Sequence, residues 1–228
     1  MDHQDEYFDN LVTMLELIWG EGYMTPGGSD NVEKMFNGIE TAGKRILDIG
    51  CGLGGQAFEM ANTFGADVVG IDLEAPLIKR ATEAATKMGL QDRCKFRIAK
   101  AGALDFPDQS FDIVATSGAI TQVSDKAKIF GECYRVLKPG GYLTCYDWTK
   151  SEKPLSEDMF YWFKMEGLTF ALETLEEYKV HLKKIGYIDV TIKDASDWYC
   201  NQARREYELM KGRLYPRMVE LLGQKDAD

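Results

Sequence analysis

ILDIGCGLGG, residues 46–55, is the stretch from which the fold can be read. An apolar run that stops at an aspartate and passes into closely spaced glycines predicts a buried strand over 45–49, a tight turn at Gly50, Cys51 and Gly52, and a helix starting near Gly54. Glycine lets the main chain approach a ligand with no Cβ between them, and a helix N-terminus presents unpaired N–H groups. The stretch is therefore a cradle suited to a carboxylate or a phosphate. The competing explanation is a glycine turn that only joins strand to helix.

Downstream of the cradle, short apolar β-rich runs alternate with helical patterns, which predicts an α/β fold: a Rossmann-like, doubly wound, mostly parallel sheet with helices on both faces. Strands are expected over 45–49, 67–71, 95–99, 111–116, 142–146 and 187–192. Helices are expected over 54–64, burying Ala57, Phe58 and Ala61, and over 75–88, burying Leu77, Ile78, Ala81 and Ala85. Ser124 should cap a helix over 125–137, and further helices should cover 156–165 and 174–185. The first of these two carries Met159, Phe160, Tyr161, Trp162 and Phe163, apolar around most of its circumference, so it should be covered, by core packing in preference to a substrate. One polar helix over 197–222 ends the pattern, and no seventh strand follows.

Upstream, residues 5–19 place Tyr7, Phe8, Leu11, Met14, Leu15, Ile18 and Trp19 at helical spacing. The helix runs into GEGYMTPGG (20–28), a loop able to fold over a site, and Ser29 should cap a short helix with Val32, Met35, Phe36 and Ile39 on its apolar side. The chain thus divides into an N-terminal helical lid (1–43), a cofactor-binding core (44–150) and substrate-side helices with the last strand (151–228), all in one domain. At 228 residues, 45% hydrophobic and 28% charged, it can build one sizeable core.

No window approaches the length of a membrane span, and the acidic opening MDHQDEYFDN lacks a basic leader, so a cytoplasmic protein is expected. Cys51, Cys94, Cys133, Cys145 and Cys200 lie far apart with no CxxC pair, which favours free thiols and no metal. A net charge of −10 argues against nucleic acid and suits cationic or zwitterionic small molecules. A sheet lacking its last strand leaves an edge for the final helix or a second subunit to cover, and a homodimer is one expected partner arrangement.

Asp72 ends the second strand in VVGIDL, twenty residues after Gly52, where an acidic side chain takes both hydroxyls of a ribose in nucleotide-binding folds. Its other reading is a cap for the next helix. GCGLGG compresses the GxGxxG spacing and no phosphate-binding lysine follows, which sets NAD and ATP aside.

Residues 46–55, 69–73, FPDQSFDIV (106–114) and RVLKPGGYL (135–143) together resemble the class I S-adenosylmethionine-dependent methyltransferases over 45–146. LELIWGEGYMTPGG (15–28) and the run from Asp147 through Asp194 to Trp198 are similar, more narrowly, to the phosphoethanolamine N-methyltransferase group. The resemblance implies that Met24 and Thr25 cover S-adenosylmethionine, that Gly50, Cys51 and Gly52 pass under its methionine part, and that Asp72 holds its ribose. Leu73, Lys100, Ala101 and Ser117 complete the cofactor-facing set, and Tyr7 faces the substrate. Lys100 stands where the family usually has an acid, and Gln122 where the family pairs a histidine with the N-terminal tyrosine. The stretch MFYWFKMEGLTF also lacks the arginine that grips a phosphate in that family. Tyr7, Gln122 and Trp148 are the candidate catalytic residues, the last with a ring face able to stabilise a cationic product. The expected activity is methyl transfer to nitrogen of a small amine or amino-acid-like metabolite. Transfer to sulfur or oxygen is the second reading, and cofactor binding without catalysis the third.

Overall fold

Alternation along the strands sets the layers. In the computed structural model, which describes residues 9–100, 102–167 and 169–227, Ile46, Val68 and Ile113 face one side of a sheet and Leu47, Val69 and Val114 the other. Strands β1 (Arg45–Ile49), β2 (Asp67–Asp72), β3 (Cys94–Ile98), β4 (Phe111–Ser117) and β5 (Leu137–Tyr146) pair in the order β3-β2-β1-β4-β5, all parallel. β1 and β4 are central and apolar on both faces, as a parallel sheet covered by helices requires. The first apolar layer is closed by Val32 and Phe36 of α2 (Gly28–Phe36), Ala57, Phe58 and Met60 of α3 (Gly55–Asn62) and Ala85 of α4 (Ala75–Lys87). On the other, Cys133 and Val136 of α5 (Lys126–Val136) cover Leu47 and Val114. The fold is Rossmann-like, with α1 (Asp9–Trp19) and α2 as an N-terminal helical lid.

The remaining helices are α6 (Glu157–Glu166), α7 (Leu175–Ile185), α8 (Ser196–Lys211), α9 (Tyr215–Leu222) and α10 (Gln224–Ala227). The helices expected over 156–165 and 174–185 form as α6 and α7, capped by Ser156 and Thr174, the latter in a full capping box with Glu177.

Five expectations need correction. No sixth strand forms over 187–192: Asp189 takes a left-handed backbone (φ 52°), which breaks the extended run, and the Tyr187 hydroxyl is tied to the Phe130 carbonyl. Ile188 is 84% exposed, and among the described residues β5 pairs only with β4. The polar helix expected over 197–222 is two helices, because Gly212 leaves helical geometry and Pro216 suits the first turn of a new one. Ser29 does not cap α2; it sits in the first turn and its hydroxyl donates to Glu59, while Gly27 holds the cap position. Asp125, not Ser124, caps α5 by accepting the Lys128 N–H. The aromatic run on α6 is covered on one side only, since Phe160 and Tyr161 remain 59% and 65% exposed.

Candidate active site

The turn after β1 is fixed from below. Gly50 and Cys51 donate their N–H groups to the Ile71 carbonyl at 2.8 and 3.0 Å, which folds the turn over the end of β2. Gly50 has φ 72°, and a Cβ there would lie 2.3 Å from the Cβ of Ala119, so the loop after β4 closes directly against it.

The lid is pinned to the cradle by side chains with few alternative partners. Glu16 on α1 accepts the Gly22 N–H (2.8 Å) with one oxygen and pairs with Arg80 on α4 (3.0 Å) with the other. The Tyr23 hydroxyl donates to Glu59 on α3, and Ser29 donates to the same carboxylate at 2.7 Å. The Gly55 N–H donates to the Gly22 carbonyl at 2.9 Å, so lid backbone and cradle backbone touch. A Cβ at Gly55 would lie 2.5 Å from that carbonyl oxygen. Gly55→Ala is therefore expected to lift the lid and cost about 1–3 kcal/mol, the range for overpacking against a rigid neighbour. Urea unfolding reads the loss, and faster protease cleavage within 20–28 locates it.

Between lid and turn lies a cavity bordered by Met24, Thr25, Gly50, Cys51, Gly52 and Ser117, all of them residues that the sequence marks as cofactor-facing. Its wall also contains residues that sequence reasoning missed: Asp48, Gln56 and Asn31. Asp48 is 1% exposed, accepts Gln56 Nε2 at 2.7 Å with one carboxylate oxygen, and has no partner for the other among the described residues. Burial pushes its pKa from 3.8 to about 7, opposed by the Gln56 hydrogen bond and reinforced by the Asp72 charge. The overlooked signal was a carboxylate inside an otherwise apolar central strand, where ionisable groups seldom occur without a partner. Asn31 donates to Ser117 at 3.3 Å and so ties α2 to the end of β4.

Cys51 is buried, and burial first, then the Asp48 and Asp72 carboxylates, push its thiol well above the ordinary value. It stays protonated and is not a nucleophile. Asp72 accepts the Gly52 N–H at 2.9 Å and the Glu74 N–H at 3.0 Å, bracing the cradle and the start of α4 together. Leu73 beside it is 59% exposed, and Lys100 is exposed in a bridge to Ala103. Tyr7 and Ala101 lie outside the described residues.

Gln122 and Trp148 are placed near one another at the ends of β4 and β5. Gln122 closes the 3-10 turn Ile120–Gln122, and the hydroxyl of Thr121 in that turn donates to the Trp148 carbonyl at 3.3 Å. The Trp148 ring meets Tyr199 of α8 edge-on (4.4 Å between centroids) and Trp162 of α6 (5.3 Å), and Phe170 stacks beyond Trp162 and Phe163. These rings form an aromatic wall past the end of β5. His181 on α7 is half-buried and bonded to Glu173 at 2.9 Å. Among the described residues no group of acids, cysteines and histidines could hold a metal ion, and no helix is long and apolar enough to cross a membrane.

A parallel five-stranded sheet with a lidded glycine cradle at the carboxyl end of its first strand defines a nucleotide-type cofactor domain. A family model described as a methyltransferase domain matches residues 40–209, and the chain belongs to that family. It is 31% identical to phosphoethanolamine N-methyltransferase 3 of Arabidopsis thaliana over 207 residues, covering 90% of this chain and 41% of that protein. It is 31% identical to phosphoethanolamine N-methyltransferase of Plasmodium falciparum over 198 residues, 86% of this chain and 73% of that protein. Phosphoethanolamine N-methyltransferase 2 of Haemonchus contortus, solved with phosphomonomethylethanolamine and S-adenosylhomocysteine, superposes with a TM-score of 0.89 at 28% identity, over 99% of this chain and 52% of that one. The chain thus spans about half the length of several proteins it matches. The resemblance read from residues 15–28 and 46–55 is borne out.

Proposed function

We propose that the protein transfers a methyl group from S-adenosylmethionine to the nitrogen of a small amine or amino-acid-like metabolite. The observation that carries the reading is Asp48: a buried carboxylate, one oxygen of which has no partner among the described residues, in the wall of a glycine cradle, under a lid, in a methyltransferase-family chain. S-adenosylmethionine fits this donor and acceptor set, since its ammonium can satisfy Asp48, its carboxylate suits the N–H groups of the turn and its ribose diol suits Asp72. When bound, it supplies an activated methyl group on a sulfonium.

On this reading Gly50, Cys51 and Gly52 pass beneath the methionine part, Met24 and Thr25 cover it, and Leu73, Lys100, Ala101 and Ser117 complete the surround. Lys100 cannot accept a hydrogen bond from an adenine amino group, so its backbone and that of Ala101 take that task. The protein's own contribution to the chemistry is alignment, because a neutral amine held at near-attack distance needs little else. Tyr7, Gln122 and Trp148 orient that amine, and the Trp148 face stabilises the ammonium product. Asp147 is committed to Thr121 and Tyr178 and is not free to act as base. The aromatic wall on α6 offers no guanidinium to a phosphate, which favours an acceptor without one. A cytoplasmic setting, a homodimer and the division into lid, core and substrate-side helices belong to the same reading.

The test is transfer of label from methyl-labelled S-adenosylmethionine to a panel of primary and secondary amines, amino acids, thioethers, phenols and phosphoethanolamine. Incorporation into nitrogen of an unphosphorylated amine is expected. Transfer confined to sulfur or oxygen would overturn the choice of nitrogen, and tight S-adenosylhomocysteine binding with no transfer anywhere would favour a non-catalytic binder.

A further inference from the structure

Lys126 stands apart from the other described lysines: its residue surface is only 1% exposed. Its ammonium has three protons and donates to three carbonyl oxygens, those of Ile120 (3.1 Å), Val123 (2.9 Å) and Ala171 (2.6 Å). Ile120 and Val123 flank Thr121 and Gln122, so one side chain grips the turn on both sides of its candidate catalytic residue. Ala171 follows Phe170 of the aromatic wall, and its own N–H donates to the Thr121 carbonyl at 2.9 Å.

Asp147 holds the same turn from β5. One of its oxygens accepts the Thr121 N–H at 3.0 Å, and the other accepts the Tyr178 hydroxyl from α7. Thr121 in turn bonds the Trp148 carbonyl. The outputs of this buried frame are therefore Gln122, Trp148 and the loop carrying Phe170, while none of its three side chains borders the cofactor cavity.

A clamp needed only for stability is poorly served by two buried charged side chains, because apolar packing of the same volume usually does as well at lower desolvation cost. What a three-point ammonium and a two-point carboxylate add is direction: they fix where the turn sits and how it faces. We propose that Lys126 and Asp147, with Tyr178, are positioning residues that hold Gln122 and Trp148 in register with the methyl acceptor. This rests on the reading of Gln122 and Trp148 as acceptor-side residues.

Tyr178→Phe is the cleaner variant, since it removes one donor to Asp147 and keeps the ring contact with Phe130 (5.5 Å). Lys126→Met is the stronger one. Both are measured for S-adenosylhomocysteine affinity by calorimetry, for kcat and KM on the best acceptor, and for amide hydrogen exchange. Expected are affinity within about twofold of the parent, kcat lower by roughly 10- to 100-fold, the scale of a misplacement near 1 Å, and faster exchange confined to 120–123 and 171. Wild-type kcat in Tyr178→Phe, or an equal loss of cofactor affinity and turnover, overturns the proposal while wild-type turnover stands. A parent protein that binds S-adenosylhomocysteine and methylates no acceptor removes the functional reading, and the proposal with it. Should Lys126→Met not fold, Tyr178→Phe alone decides.

Discussion

Replacing Asp48 by asparagine should make the protein more stable at pH 8 by about 1–3 kcal/mol and less stable at pH 4. The folded chain raises this carboxyl from 3.8 to about 7, chiefly by burial. Because the folded state holds the proton more tightly than the unfolded one, the contribution of Asp48 is fully present below about pH 4 and is lost as pH rises through 7. One pKa unit is worth about 1.4 kcal/mol, so the ionised carboxylate costs the folded chain about 4 kcal/mol above pH 7. Asparagine keeps an acceptor for Gln56 and removes that penalty, but leaves a buried amide without a partner at a cost of about 1–3 kcal/mol. Urea unfolding at pH 4, 6 and 8 measures the difference. A variant whose stability difference does not change with pH would mean that Asp48 is not the titrating group. Asp147, raised to about 6 by burial, adds a smaller slope of the same sign that remains in the variant. On the proposed function the same substitution weakens cofactor binding, so stability and affinity move in opposite directions, as they do where a site stores an unfavourable charge.

Sequence and structure agree most closely where local chemistry and tertiary packing ask for the same thing. β1, β2 and β4 are found within a residue or so of their predicted limits, because β-branched and aliphatic runs bounded by glycine or aspartate are buried on both faces and have no other stable place. The helices α6 and α7 were equally legible, since they begin at Ser156 and Thr174, which satisfy N–H groups within their own helices. The segment 187–192 shows the limit of this. Its composition is that of a strand, yet a strand needs a partner edge in register, and the left-handed Asp189 takes the chain away from one. α8 and α9 show a second limit, for a helical pattern continues across Gly212 although the backbone does not.

The candidate site was legible in its glycines and in Asp72, where the spacing along the chain mirrors the pairing of β1 with β2. It was not legible in Asp48, which in a sequence is only a polar interruption; its meaning comes from burial and from the absent second partner. Nor was the frame around Gln122 visible. Lys126 lies six residues from Ile120 and 45 from Ala171, and nothing in the spacing says that one ammonium joins them.

Asp72→Ala should weaken S-adenosylhomocysteine binding by about 1–3 kcal/mol, roughly 5- to 150-fold, the scale of lost hydrogen bonds to a charged group. Its two candidate roles predict different combinations of results. The carboxylate accepts the N–H groups of Gly52 and Glu74, so it braces the cradle and the residue that leads into α4 whether or not it also meets a ribose; Glu74, not Asp72, holds the cap position of that helix. Loss of that brace alone costs stability of about 1–3 kcal/mol, the scale of hydrogen bonds to a charged group. It would lower the urea midpoint while leaving the affinity for S-adenosylhomocysteine close to that of the parent. A ribose contact adds an affinity loss beyond that, and the loss should shrink for a ligand lacking the diol, such as the 2′,3′-dideoxy analogue. Each carboxylate oxygen has a second lone pair directed away from its backbone donor, so the two roles are compatible in one side chain. Equal losses for the ribose and dideoxy ligands would leave Asp72 as a brace only, and the diol would then need another partner at the exposed end of β2.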